Sequence, residues 1–312
     1  MELFRTDLAM EARNQYRKMH QREADGVRAQ SEDTPLGHVI RVEILDERGE
    51  DLLGKPVGMY VTLETKPELR HMPQGREDLA YWVAQEIGRL LADLPENSPR
   101  LVAGLGNGGI TPDSLGPKTV SQILVTRHVL GYLESVGENR LRPVCAIAPG
   151  VLGMTGIQTA EIIRGVTAHL EPSCLIAVDA LASRSVSHIA NTIQISSAGI
   201  KPGSGLGNRT QAIDRESLGI PVLSLGIPTV VYATVIARDA MKLSLCGEPG
   251  APDDKSLDRL IRDKVEPAFG DLVVTPKEVD VLVEDMAWIL AMGINLWAHP
   301  GLSREEIASY LH

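Results

Sequence analysis

Aromatic side chains are scarce: two Phe, three Trp and six Tyr make up 4% of 312 residues. The core must therefore be filled by Val, Ile, Leu and Ala, which suits a parallel sheet packed by helices, and an apolar fraction of 43% is ample for it. Cysteine is nearly missing. Cys145, Cys174 and Cys246 form no C-x-x-C pair, which excludes a disulfide scaffold. Cys145 and Cys174 fall in apolar strand-like runs, so buried thiols in a reducing compartment are expected. Excess positive charge is also lacking. A net charge of -10 argues against a phosphate-binding surface, so nucleic acid is not an expected direct partner, whereas a basic protein substrate would be attracted.

No run reaches the roughly 18 apolar residues that a membrane span needs. Arg5, Asp7 and Glu11 break the start before a signal-peptide core could form. The expectation is a cytoplasmic protein without a membrane partner. The chain contains no G-x-S-x-G, no H-E-x-x-H and no Cys/His pairing, which leaves serine, zinc and cysteine hydrolases without support. No cofactor or metal is called for.

The first 35 residues are polar and offer little to bury, reading as a tail. A strand pair follows at His38–Leu45 and Gly58–Glu64, separated by turn-rich sequence. From residue 78 onward helices and strands alternate. Helices are expected at Asp78–Leu94, Pro117–Leu133, Thr159–Leu170, Thr229–Leu245, Leu257–Val265 and Pro276–Leu296, the last capped by Thr275. Strands are expected at Leu101–Leu105, Pro143–Ala148, Leu175–Val178, Thr192–Ser196 and Pro221–Ile227, with a loop-rich stretch near 246–256. The pattern implies an α/β fold: a mixed, mostly parallel sheet with helices on both faces and an extra N-terminal strand pair.

Two aspartates stand out. Asp113 follows the strand at Leu101 through the turn Gly104-Leu105-Gly106-Asn107-Gly108-Gly109, and Asp179 closes the run Leu175-Ile176-Ala177-Val178. Carboxyl ends of parallel strands are where an open α/β sheet gathers its site. Each aspartate reads equally as a helix N-cap. Converging on one cleft, the two would form a dyad in which one acid activates water and the other protonates a leaving amine. The segment Gly104–Gly109 also fits G-x-G-x-x-G, a nucleotide-binding alternative, but Thr111-Pro112-Asp113 intervenes before any helix. A metal-dependent hydrolase using the same acids, with His188, is the other alternative. Asn107, Thr155, His188 and Ser204 are further candidates, on glycine-rich turns or beside the second aspartate segment.

With these segments in view, the chain resembles the germination proteases of spore-forming bacteria. The resemblance runs through Arg5–Ala12, Tyr60–Glu64, both aspartate segments, Ala148–Ile157, Asn191–Ser196, Pro202–Asn208, Leu218–Val230 and Val274–Asp280. It implies a fold like that of the hydrogenase maturation endopeptidases, catalysis by Asp113 and Asp179, and a homotetramer. It also implies a zymogen that cuts itself, with small acid-soluble spore proteins as substrates in the forespore and spore core. Family cleavage follows an acidic residue and precedes an apolar residue and Ala. Asp7-Leu8-Ala9-Met10-Glu11 fits, so the expected cut is Asp7–Leu8, leaving residues 1–7 as propeptide and 8–312 as one catalytic domain.

Overall fold

The computed structural model describes residues 6–95, 98–130, 140–202, 211–245, 253–270 and 272–311. Its strands are β1 (Val27–Thr34), β2 (Gly37–Ile44), β3 (Gly58–Thr65), β4 (Arg100–Gly104), β5 (Val144–Ile147), β6 (Cys174–Ser183), β7 (Thr192–Ser196), β8 (Val222–Tyr232) and β9 (Val273–Val274). They form one mixed sheet in the order β1-β2-β3-β7-β8-β6-β4-β5, with β9 paired to β8. The pairs β8–β6, β6–β4 and β4–β5 are parallel, and the rest are antiparallel. The expected strand pair is thus β2 and β3, extended outward by β1.

Alternation along the central strands explains the two covered faces. Val102, Ile176 and Val178 join one cluster with Leu79 and Val83 of helix α3 (Pro73–Leu90) and Leu290 and Ile294 of the helix Val279–Ala298. Leu101, Ala103, Leu175 and Ala177 join another with Ala160 and Ile163 of the helix Thr159–Leu170. That helix starts where sequence places it, in a capping box between Gln158 and Glu161. Helix Val279–Ala298 is long and apolar enough by composition to cross a membrane, but most of it is buried inside the molecule. A Cβ on its Gly293 would lie 2.7 Å from the Val83 side chain, a measure of how closely it approaches α3.

Several expectations need correction. The N-terminus is no tail: Ala9–His20 forms helix α1, and Leu8, Ala9, Met10 and Tyr16 are buried with Ile40, Val42, Tyr60 and Leu181. Apolar residues at helical spacing carried that signal within an otherwise charged stretch. The turn-rich link after β2 contains helix α2 (Glu47–Leu53), capped by Asp46, whose side chain accepts from the Gly49 N–H at 3.1 Å. Of the helix expected over Pro117–Leu133, residues 131–133 lie outside the described residues, and residues 117–129 contribute only to α4 (Leu115–Val120). Beyond it, the Leu124 N–H donates to Asn295 Oδ1 at 2.9 Å and the Thr126 N–H to the Val144 carbonyl at 3.1 Å, drawing the backbone out of helical pairing. Thr275 caps nothing; its hydroxyl donates to the Thr229 carbonyl at 2.8 Å. Cys174 is fully buried, its thiol pushed up to about 12 by burial, and Cys145 is half-buried. Cys246 lies outside the described residues.

Candidate active site

Strand β6 outruns its neighbour β4. The Leu105 N–H donates to the Val178 carbonyl at 2.8 Å, and there the pairing of β6 with this side of the sheet stops. Asp179 is the next residue. It therefore lies inside β6, not at a strand end, because pairing with β8 continues to Ser183 across a bulge at Leu181/Ala182. Bulges and strand ends are where a sheet re-aims side chains. Asp179 caps no helix: its Oδ1 accepts from the Ala180 N–H at 2.9 Å.

Asp113 arrives from the β4 side. It ends a short turn, Thr111–Asp113, and its Oδ2 accepts from the Asn107 N–H at 2.7 Å instead of capping α4. The glycine run makes that fold-back possible. Gly106 has φ +102°, and a Cβ there would sit 2.1 Å from the Asp113 carbonyl oxygen. A Cβ on Gly104 would likewise lie 2.2 Å from the Gly116 carbonyl oxygen. At Gly104 and Gly106 the loop is closed against its own chain, and this fold-back brings Asp113 beside Asn107.

Both aspartates line a cavity of about 190 Å³, together with Lys201, Thr229, Thr275 and Asp7. Asp7 is the chain's own visitor. Groups facing one side of a strand recur every second residue, so Ala182 points its backbone along the edge that β4 has vacated. The Asp7 N–H donates to the Ala182 carbonyl at 3.0 Å, and the Ala182 N–H donates to Asp7 Oδ2 at 2.9 Å. Leu8 then turns into the core, with 0% exposure. Gln194 of β7 spans both sides of Leu8: its Nε2 donates to the Asp7 carbonyl at 3.1 Å and its Oε1 accepts from the Ala9 N–H at 2.9 Å.

Electrostatics divides the acids. Burial raises Asp113 above the usual carboxylate range, opposed by the Asn107 N–H. Asp179 is raised much further, by burial first and then by the charges of Asp113 and Asp7. Both acids therefore hold their protons more readily than a free aspartate, Asp179 the more strongly, while the Asn107 N–H offsets part of the rise at Asp113.

The remaining candidates separate. Asn107 is at the site through its backbone, and its Oδ1 accepts from the Gly109 N–H at 2.9 Å. His188 serves the segment rather than the dyad: its Nδ1 contacts Glu11 at 2.6 Å and its Nε2 contacts Glu64 at 3.1 Å. Glu11 also accepts from the Arg184 N–H at 2.9 Å and from the Thr6 hydroxyl. Thr155 is exposed and away from the cavity, its hydroxyl donating to the Ile157 carbonyl at 3.0 Å. Ser204 lies outside the described residues. Among the described residues, no group of three or more His, Cys, Asp or Glu is arranged as a metal site. Gln194 and the Ala182 backbone escape sequence reasoning, since a lone amide in Thr192-Ile193-Gln194-Ile195-Ser196 reads as ordinary strand alternation.

The sequence profile of the germination proteases matches residues 4–248 and 242–311. A germination protease of Clostridium perfringens is 43% identical over 326 residues, covering 99% of each chain. That of Caldanaerobacter subterraneus is 44% identical over 321 residues, covering 99% of this chain and 98% of its own. The Priestia megaterium protein is 37% identical over 359 residues, covering 99% and 97%. A NiFe hydrogenase maturation protease of Thermococcus kodakarensis aligns over 66% of this chain and 98% of its own, at 14% identity and a TM-score of 0.30. The family profile and these curated relatives define the class as a peptidase, and the sheet described above gives it a mixed α/β fold. Within that class, the chain belongs to the germination protease family, whose members are endopeptidases of spore germination.

Proposed function

We propose that this chain is a self-processing zymogen in which Asp113 and Asp179 hydrolyse peptide bonds, the first being its own Asp7–Leu8 bond. One observation carries the reading: Asp7 lines the same cavity as the two aspartates, with Leu8 buried beyond it. Asp113, held by a backbone donor, takes a proton from water as the water attacks the Asp7 carbonyl carbon. Asp179, whose surroundings favour the protonated acid, gives its proton to the Leu8 nitrogen as the C–N bond breaks.

Residues 1–7 leave as a propeptide, and 8–312 remain as the catalytic domain. The freed cleft then takes small acid-soluble spore proteins as substrates inside the forespore and spore core. The contact between the Ala182 N–H and Asp7 Oδ2 supports a preference for an acidic residue before the cut. A homotetramer follows from the family resemblance.

Intact mass before and after mild acid incubation tests the reading. Loss of residues 1–7 from the wild-type chain but not from Asp113→Asn or Asp179→Asn is the expected result. Equal loss from all three sinks it. Insensitivity to a chelator is expected, and chelator-blocked cleavage would transfer the acids to a metal mechanism.

A further inference from the structure

We propose that Gln194 is a catalytic residue of this hydrolysis, its side-chain amide holding the Asp7 carbonyl and stabilising the oxyanion that forms there. The inference rests on Asp7–Leu8 being the bond that is cut.

The amide is fixed in one orientation by its two partners. Nε2 meets a carbonyl oxygen at 3.1 Å and Oε1 meets an N–H at 2.9 Å, and the flipped amide would set donor against donor and acceptor against acceptor. Gln194 thereby pairs with Asp7 and Ala9, flanking Leu8, much as a neighbouring strand would. It is 6% exposed, so the hydrogen bond acts where water competes little.

Its place in the sheet also couples it to the acids. Gln194 lies in register with Gly226, and Gly226 with Asp179, so the two side chains share one face, separated by a residue with no side chain. Leu181 fills that gap: a Cβ on Gly226 would lie 2.5 Å from Leu181 Cγ. Leu181 and Leu8 belong to the same buried cluster. The Asp7 carbonyl thus meets an amide donor from β7, and Asp7 itself also lines the cavity that holds Asp179 of β6.

The step balances. Water adds to the carbonyl carbon, its proton going to Asp113, and the C=O electron pair moves to the oxygen that Gln194 Nε2–H already contacts. Collapse restores the C=O, breaks the C–N bond, and places the Asp179 proton on the Leu8 amine. A donor aimed at the charge that develops is the group such a transition state needs, and removal of one costs roughly 100- to 1,000-fold in rate.

Two variants of the full chain test this, with self-cleavage followed by intact mass and protection of the amides of residues 6–12 by hydrogen exchange. Gln194→Glu keeps the acceptor for Ala9 and loses the donor, and Gln194→Met loses both at similar volume. The expected result is cleavage slowed about 100-fold or more in both, with segment protection in Gln194→Glu within a few-fold of wild type. If cleavage slows only in proportion to lost protection, Gln194 is a tether and the proposal fails. Cleavage at the wild-type rate in a folded variant also ends it. If the wild-type chain is not cut at Asp7–Leu8, the parent reading fails first, and that result is distinct from either of these.

Discussion

Replacing His188 by Gln should strip the fold of one pH-dependent contribution whose size follows from the contacts. The imidazole is sandwiched between Glu11 on α1, at 2.6 Å, and Glu64 on β3, at 3.1 Å. Burial works against the imidazolium, but hydrogen bonds and attraction from the two carboxylates outweigh it and push His188 from 6.5 up to about 9. A shift of that size corresponds to about 3 kcal/mol favouring the folded state, with the side chain only 19% exposed. The folded value lies above the unfolded one, so this contribution is complete below pH 6.5 and is lost as pH rises through about 9. The groups around the site are Glu11, Glu64, His38 acting on Glu64, and the Arg184 N–H donating to Glu11.

The assay is denaturant unfolding of both proteins between about pH 6 and 10, on the alkaline side of ordinary carboxyl titration. Tyrosines and lysines titrate in both and cancel in the difference. Part of the gap between the proteins is independent of pH, because Gln leaves buried Glu11 with a weaker partner. The gap should nevertheless shrink by about 3 kcal/mol across the window. A constant gap would mean that His188 is neutral between its carboxylates, refuting the reasoning.

Two substitutions test the local architecture. Gly106→Ala forces a Cβ against the Asp113 carbonyl at a φ of +102°, so it should abolish Asp7–Leu8 cleavage by displacing Asp113 while the circular dichroism of the sheet stays native; undiminished cleavage would show that the loop does not position the acid. Leu8→Ala should cost about 2–5 kcal/mol in chemical unfolding, against almost nothing for Met19→Ala on the exposed side of α1, and equal costs would contradict the burial of the segment.

The central strands were legible because alternation survives wherever helices cover both faces, and β7 and the helix Thr159–Leu170 fall where their patterns end. The convergence of Asp113 and Asp179 on one cavity was legible because a glycine turn follows β4 and an apolar strand run leads directly into Asp179. Their environment was not. A single sequence cannot show that β6 outlasts β4, and that mismatch opens the edge which Asp7 fills. Nor does it show that Leu8, Ala9 and Met10 are core residues, since charged neighbours such as Arg17 and Lys18 dominate the composition while lying on the exposed side of the same helix. Helix α4 stopped early for a reason that lies 171 residues away, in the Asn295 amide that takes the Leu124 N–H. Local propensity loses wherever a distant side chain offers the backbone a better partner.

Cutting the chain between a cleft residue and a core residue alters the site that makes the cut. Before cleavage, the Asp7 charge helps to raise Asp179, after burial and the charge of Asp113. Afterwards Asp7 departs with the leader, while Leu8, with 0% exposure, keeps its new ammonium near the acids. Both changes move Asp179 back toward the ordinary carboxylate range. A general acid fails as pH rises through its own value, so the alkaline limb of kcat/KM in the processed enzyme, which reports the free site, should lie below the alkaline limb of self-cleavage. Burial and Asp113 persist, so Asp179 should still titrate above a free aspartate in the processed enzyme. The two pH profiles, one from intact mass and one from turnover of a peptide containing Asp-Leu-Ala, decide the point. Coincident limbs would show that Asp7 exerts no charge on the acid, or that Asp179 is not the group that protonates the leaving amine.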